Sequence, residues 1–360
     1  MVQTALIIAF AFMSVIIGGG FSSGLEITQF FTSFGTIGIV GTVIATILFA
    51  FLGMEIGRIS GELRATSHKE VLRHLFGHRL AVVFDAGLTF FLFGVGVAML
   101  AGAGSMGKQL FGIDAFYGSL CMTVLVILTL CLRSERIVQV ISAVTPLLVV
   151  TILLISIYSL TDIEILPSST LNTTAATMEH AAPNWLLSAV LYVAFNIAVA
   201  FPMLAVIGGL TPSIRTTTVG GLLGGIGLGL LLGIMNVCLY FNVEQIHGLE
   251  LPTLGLAGRH GTFFTVLMSI SILCMIFSTA VGMFFSCTAR WTTQETKQFR
   301  ILAVILCVVG FGASFAGFTT LIGTVYPLLG YLGIGLILAV LISWWRLRKA
   351  RRLAVSGAAK

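Results

Sequence analysis

The chain has 360 residues, of which 58% are hydrophobic and 9% are charged, and its formal net charge is +6. Water-soluble domains have a charged fraction of about 25%, so the composition excludes a soluble globule and predicts a polytopic helical membrane protein in a lipid bilayer. The basic residues lie in short links between apolar segments rather than in one patch, which argues against a nucleic-acid partner. The six cysteines show no CxxC pair and predict neither disulfides nor a metal cluster.

A helix needs about 20 residues to cross a bilayer, and ten apolar segments meet this requirement. Of the 19 Lys and Arg residues, all but Lys108 and Arg259 fall on one side if the N-terminus is cytoplasmic. The positive-inside rule therefore predicts a multi-pass protein of the cell (inner) membrane with both termini in the cytoplasm. The ten predicted spans are 2–33, 35–59, 80–107, 114–132, 137–160, 184–210, 214–241, 262–288, 301–317 and 319–345.

The first span contains a glycine-rich segment at about the depth of the bilayer midplane. Four glycines among seven residues disfavour a continuous helix. Irregular backbone at this depth is tolerated only where it is buried in protein or lines a cavity. The segment therefore predicts a broken helix and a substrate-binding site, with close helix packing as the alternative role of the glycines. Its residues are Gly18, Gly19, Gly20, Phe21, Ser22, Ser23 and Gly24.

Glu26 lies two residues beyond this segment, and an acidic residue within a membrane span is costly enough to indicate function. It could neutralise a cationic substrate or a coupling ion, or it could take up a proton. The alternative is local, because Ser23-Gly-Leu-Glu26 matches a capping box, in which Glu26 would bond the amides at the start of a helix.

Ten spans divide into two halves of five, and an odd number per half makes the second half inverted. The predicted units are a first repeat (1–161), an extracellular link (162–183), a second repeat (184–346) and a basic cytoplasmic tail (347–360). The sixth span should then be broken like the first, which its mid-span Asn196 and Pro202 support. Paired interruptions indicate a transporter site, with Tyr192, Phe195 and Asn196 as further substrate-binding residues.

Other polar or small residues within the spans have simpler interpretations. Glu55 and Arg58 are spaced for an ion pair at the end of the second span, and Asp85 lies near the start of the third. These charges predict local or gating salt bridges. A four-residue repeat of glycine in the seventh span predicts a helix-packing face, formed by Gly221, Gly225, Gly229 and Gly233.

Residues 18–31 and 99–104 together resemble the YkvI-type bacterial membrane proteins, which are regarded as amino-acid permeases with the LeuT-type fold of the APC superfamily. The resemblance runs the length of the chain. It implies an alternating-access carrier with inverted five-helix repeats and substrate held between broken helices 1 and 6. In sodium carriers of this fold, paired hydroxyls of span 8 face carbonyls of span 1. The resemblance therefore implies a Na+ site formed by Ser14, Ile17, Ser278 and Thr279.

Together these observations predict a secondary active transporter for a small polar solute, an amino acid or an amine, coupled to Na+ or H+. The alternative is a ligand-sensing receptor subunit that uses the same pocket without transport. An intramembrane enzyme is not expected, because all six histidines lie in links or near span ends and Asp85 has no second aspartate to face it. The sequence predicts no cofactor beyond the coupling ion, and it identifies no protein partner.

Overall fold

The computed structural model describes residues 2–132, 149–161, 167–292 and 296–357, and the regular structure of these residues is helical. A 3-10 turn, Thr32–Phe34, joins the third and fourth helices. The helices are α1 (Val2–Ile16), α2 (Gly19–Ser23), α3 (Leu25–Phe30), α4 (Thr36–Leu63), α5 (His68–Phe111), α6 (Ala115–Leu130), α7 (Val149–Thr161), α8 (Ser168–Ala176), α9 (Trp185–Leu210), α10 (Ile214–Phe241), α11 (Val243–Ile246), α12 (Pro252–Arg259), α13 (Thr262–Ala289), α14 (Lys297–Ser314) and α15 (Phe318–Gly357).

Seven of these helices are long and apolar enough to cross a membrane, namely α4, α5, α9, α10, α13, α14 and α15. The helices α1, α6 and α7 are apolar but shorter, at 10–17 residues. The chain is therefore a multi-pass helical membrane protein, as predicted. Several predicted features lie outside the described residues: the first half of the fifth span, the link residues 162–166, the end of the tail at 358–360, and the basic residues Arg133 and Arg136.

The helix α10 packs along α4 through small residues. A Cβ added at Gly57 would lie 2.7 Å from the Thr217 carbonyl oxygen, so the two backbones are in close contact. The Thr217 hydroxyl also donates a 3.0 Å hydrogen bond to the Gly57 carbonyl. Small residues allow this approach in membrane helices. The predicted packing face is confirmed for Gly221, Gly225 and Gly229, which lie against Gly53, Phe49 and Thr46 of α4.

The helix α9 runs through the middle of the bundle, and it is continuous from Trp185 to Leu210. The break predicted in the sixth span is therefore wrong. Asn196 satisfies its own amide within the helix, because its Nδ2 donates to the Tyr192 carbonyl one turn earlier at 2.9 Å. Pro202 removes one backbone donor without ending the helix, which is tolerated where neighbouring helices hold the segment.

Aromatic rings fix α9 against the segment that follows the glycine-rich stretch. The Tyr192 ring lies 5.4 Å from Phe30 and 4.9 Å from Phe31, measured between centroids, in edge-to-face geometry. Phe195 packs on Phe30 from the next turn at 5.6 Å. Such aromatic pairs contribute about 0.5–1.5 kcal/mol each beyond their buried area. They hold α3, and with it Glu26, in a fixed place beside α9.

Candidate functional site

The first membrane helix is interrupted at the glycine-rich segment. The helix α1 ends at Ile16, Gly18 is extended with φ −105° and ψ −168°, and α2 begins at Gly19. Gly24 then joins α2 to α3 with φ +80°, a left-handed conformation that strongly favours glycine. A Cβ at Gly24 would also lie 2.8 Å from the Thr253 Cγ2 atom. Glycine is therefore required at residue 24 by both conformation and space.

The interruption redirects the backbone donors at the end of α1. The Gly18 N–H, which an unbroken helix would aim at the Ser14 carbonyl, donates to the Ile16 carbonyl instead at 2.8 Å. The helix α13 approaches this point closely, since a Cβ at Gly18 would lie 3.1 Å from Thr279 Oγ1. The Ser14 carbonyl thus loses its helical donor beside a hydroxyl-bearing stretch of α13.

Glu26 lies in the first turn of α3 and is 4% exposed. Its carboxyl group lies beside the Tyr326 hydroxyl of α15 at the same cavity, and its Oε2 atom is buried without a hydrogen-bond partner. The capping-box interpretation is wrong, because the N-cap of α3 is Gly24 and receives no side-chain bond. Ser23 Oγ instead accepts from the Leu25 N–H at 3.2 Å.

Glu26 borders a small cavity of ≈ 30 Å³, which we call the midplane cavity. The space suffices for a water molecule or an ion. The midplane cavity is formed by six helices (α1, α3, α5, α9, α13 and α15) and by Gly18 at the break, and no basic side chain is among its described lining residues. These are Val15, Ile16, Gly18, Glu26, Val95, Phe195, Asn196, Val199, Thr279, Met283 and Tyr326.

A larger cavity of ≈ 540 Å³ adjoins the midplane cavity, and the two share Val15, Val199, Thr279 and Met283. We call it the basic-end cavity, because it extends towards His68 and Arg290. At this end the guanidinium of Arg290, the residue that follows α13, pairs with Asp85 of α5. His68 Nε2 lies 2.9 Å from the same carboxylate. The predicted Asp85 salt bridge is therefore confirmed, and it joins two helices at the mouth of the cavity.

A third cavity of ≈ 340 Å³ lies at the opposite end of the bundle, and we call it the outer-end cavity. Its lining residues include Gln29, Glu179 and Glu250, and among the described residues it has none in common with the other two cavities. Next to Pro252, which lines this cavity, the Thr253 hydroxyl donates a 2.6 Å hydrogen bond to the Ser22 carbonyl of α2. The outer-end cavity borders Leu25, Thr28 and Gln29 of α3. Of the two larger cavities, the basic-end cavity is the one that shares lining residues with the midplane cavity at the break.

Comparison with known proteins supports this description of the fold. No family model matches the chain. It is 25% identical to the uncharacterized membrane protein YkvI of Bacillus subtilis over 334 residues, covering 93% of this chain and 94% of YkvI. It is also 26% identical to the uncharacterized protein YyaD of the same organism over 331 residues, covering 91% of this chain and 93% of YyaD. The resemblance to the YkvI-type proteins is thus confirmed.

Solved structures of membrane transporters share the architecture. MhsT in complex with L-phenylalanine matches with a TM-score of 0.60 at 15% identity, over 94% of this chain and 88% of MhsT. An outward-open Na+-coupled sialic acid symporter matches with a TM-score of 0.58 at 16% identity, over 92% of this chain and 78% of the symporter. The inward-facing conformation of Mhp1 matches with a TM-score of 0.55 at 14% identity, over 92% of this chain and 72% of Mhp1. The fold is the LeuT-type transporter fold.

Within this LeuT-type fold, the predicted substrate residues divide into those that border the midplane cavity and those buried behind it. Gly18, Glu26, Phe195 and Asn196 border the cavity. The Tyr192 hydroxyl is buried near Glu26 and Asn196 without a well-formed hydrogen bond. Phe21, Ser22 and Ser23 are fully buried, and Gly24 serves as the left-handed link. Gly19 and Gly20 form the start of α2.

The predicted Na+ ligands lie around the Ser14 carbonyl, which has lost its helical donor at the break. Ser14, Ser278 and Thr279 all line the basic-end cavity, whereas Ile17 is buried next to them. The Ser278 hydroxyl donates a 3.2 Å hydrogen bond to the Met275 carbonyl. The Na+ assignment itself remains a prediction.

Tyr326 is the site residue that the sequence analysis missed. A tyrosine followed by proline within the tenth span is a polar interruption of the same kind as Asn196 and Pro202. That pattern could have drawn attention to residue 326. Its partner Glu26 is distant in sequence, so the pairing itself has no local signal.

Proposed function

We propose that this protein is a secondary active transporter that moves a small polar solute, an amino acid or an amine, by alternating access. The observation that carries the proposal is that the midplane cavity at the break shares lining residues with the basic-end cavity and none with the outer-end cavity. In a carrier, the central site opens to the two sides of the membrane in turn. The basic-end cavity corresponds to the open side and the Thr253 to Ser22 contact to the closed side.

The proposal includes ten spans arranged as two inverted repeats, 1–161 and 184–346, joined by the link 162–183. With the N-terminus and the tail 347–360 in the cytoplasm, the basic end faces the cytoplasm, so the arrangement described here is open inwards. The solute would bind at the break in the first helix, where the backbone of Gly18 and the side chains of Glu26 and Asn196 border the midplane cavity.

The coupling ion is Na+ or H+ in this proposal, and the Na+ site would use the Ser14 and Ile17 carbonyls with the Ser278 and Thr279 hydroxyls. Unwound backbone carbonyls are suitable ligands for Na+ in transporters with broken helices. The loss of the helical donor to the Ser14 carbonyl supports this choice. A symporter with the same fold is described as Na+-coupled.

The test uses the purified full-length protein in detergent and in proteoliposomes. We expect Na+, compared with K+ at equal ionic strength, to raise the unfolding temperature, because a ligand at a hundredfold excess over Kd stabilises by about 2.7 kcal/mol. Thr279→Ala should abolish the Na+ shift. Thr288→Ala is the matched control, since Thr288 is buried on the same helix and bonds the Phe284 carbonyl.

Transport is measured by uptake of radiolabelled amino acids and amines into the proteoliposomes under an imposed Na+ or pH gradient. Gradient-driven uptake is the expected result. Solute binding without any flux would contradict the transporter assignment and favour a sensor. An equal Na+ shift in the wild type and in Thr279→Ala would contradict the Na+ site.

A further inference from the structure

The charge of Glu26 has no counter-ion among the described residues around it. The groups that face it from the neighbouring helices are Tyr192 and Asn196 of α9, Tyr326 of α15 and Thr279 of α13. The side chains of α1 and α5 at the midplane cavity are aliphatic. None of these groups is a cation, and Oε2 receives no hydrogen bond. An ionised carboxylate in such surroundings is strongly disfavoured unless something neutralises it.

A second buried glutamate shows how this chain neutralises a carboxylate when the role is structural. Glu55 of α4 is 3% exposed. The Arg58 guanidinium contacts its Oε2 through two nitrogens, at 2.6 and 2.9 Å. Glu26 is equally buried but lacks such a partner in the described part of the chain. The difference indicates that the counter-ion of Glu26 comes from outside the protein.

The rest of the midplane cavity suits the ammonium group of an organic cation. The aromatic residues Phe195 and Tyr326 border the cavity together with Glu26. Aromatic faces attract cations, by about 0.5–2 kcal/mol depending on desolvation. The same carboxylate disfavours anionic solutes by like-charge repulsion.

Glu26 can also exchange protons with one end of the bundle, because the midplane cavity adjoins the basic-end cavity. We infer that Glu26 holds a proton while the site is empty and exchanges it for the ammonium group of an organic cation. The carboxylic acid releases its proton into the basic-end cavity, the resulting carboxylate pairs with the ammonium group, and the solute keeps all of its own protons. The inference rests on the proposed transport function and defines its substrate class.

The protonation of Glu26 is tested first without any solute. The infrared carbonyl band of a protonated carboxylic acid is recorded at neutral pH for the wild type, Glu26→Gln and the matched control Glu55→Gln. We expect the band in the wild type and in Glu55→Gln and its loss in Glu26→Gln. A wild-type spectrum without a band assignable to Glu26 would overturn the inference.

The exchange is tested with probes that share one carbon skeleton and differ in charge: 3-methylbutylammonium, 3-methylbutanol and 3-methylbutanoate, together with choline and leucine. Binding is followed by thermal shift at constant Na+, and proton release by a pH dye in weak buffer. We expect solutes with a cationic nitrogen to bind, release a proton and remove the Glu26 band. Their apparent affinity should fall up to about tenfold per pH unit of acidification, because one proton competes with one cation.

Glu26→Gln should lose both proton release and the pH dependence, whereas Glu55→Gln should keep them. Choline is informative because it cannot donate a proton from its nitrogen, so any proton that it releases comes from the protein. Binding of cations without loss of the Glu26 band would overturn the exchange, as would a panel in which no solute with a cationic nitrogen binds. Uptake of 3-methylbutanol or 3-methylbutanoate under a gradient, without uptake of 3-methylbutylammonium, would overturn the substrate class while leaving the transport function intact.

Discussion

The broken segment α1–α3 and the continuous helix α9 differ although sequence symmetry predicts that both are interrupted. In α1–α3 the backbone itself changes, since Gly18 is extended and Gly24 is left-handed. In α9 the polar groups are accommodated without a change of backbone, because Asn196 bonds the preceding turn. The difference shows that glycines permit a break in this fold, whereas one amide and one proline do not impose it.

The largest effect is expected where the break depends on a single conformation. Gly24→Ala places a Cβ against Thr253 and forces an alanine into the left-handed region, which together should cost about 2–4 kcal/mol of unfolding free energy. Thermal unfolding in detergent measures the loss. Gly258→Ala is the control, because Gly258 is helical and its added Cβ meets no atom within 4 Å; an equal loss in both variants would show that the conformation of Gly24 is not decisive.

An intermediate effect is expected from the Thr253 to Ser22 contact, which we propose closes the break towards the outer end. Thr253→Val keeps the shape of the side chain but removes the 2.6 Å hydrogen bond to the Ser22 carbonyl. The loss of a buried hydrogen bond should cost about 1–2 kcal/mol, and a cysteine introduced by Ser22→Cys should then react faster with a thiol reagent added from the outer side.

The matched variant for this experiment is Thr265→Val, which removes an exposed hydroxyl bond within α13. It should leave both stability and labelling unchanged. If the Ser22→Cys variant is labelled equally slowly with and without the additional Thr253→Val substitution, this hydrogen bond does not close the outer side.

The smallest effect is expected in α9. Pro202→Ala restores a backbone donor in a helix that is already continuous, so we expect a gain of at most about 1 kcal/mol in stability. Solute binding in the panel above should change less than about twofold, since a fold-change of that size corresponds to well under 1 kcal/mol. A large loss of binding would show that the interruption of hydrogen bonding at Pro202 contributes to the site as the glycines do.

Several parts of the structure could be predicted from local patterns. The glycine-rich segment marks the break because residues 18–24 favour non-helical backbone conformations. The four-residue glycine repeat of α10 marks its contact with α4 for steric reasons. The Glu55 and Arg58 ion pair follows from helical spacing alone.

Other parts depend on contacts between residues that are distant in sequence. The pairing of Glu26 with Tyr326 and of Asp85 with Arg290 results from the packing of separate helices. The prediction of a break in α9 was wrong because the sequence does not show which carbonyl an asparagine side chain will bond. The capping-box prediction was wrong for a related reason. The left-handed conformation of Gly24 makes this residue, rather than Ser23, the N-cap of α3.

The single carboxylate at the midplane cavity also determines how the exchange responds to voltage. Among the described lining residues, Glu26 is the one acidic side chain. If it carries either one proton or one monovalent organic cation, and H+ rather than Na+ is the coupling ion, the loaded site has the same net charge in both directions of movement. Moving a net charge across the membrane involves about 2.3 kcal/mol per 100 mV, but this exchange is electroneutral. A pH difference would therefore drive it, whereas the membrane potential would not.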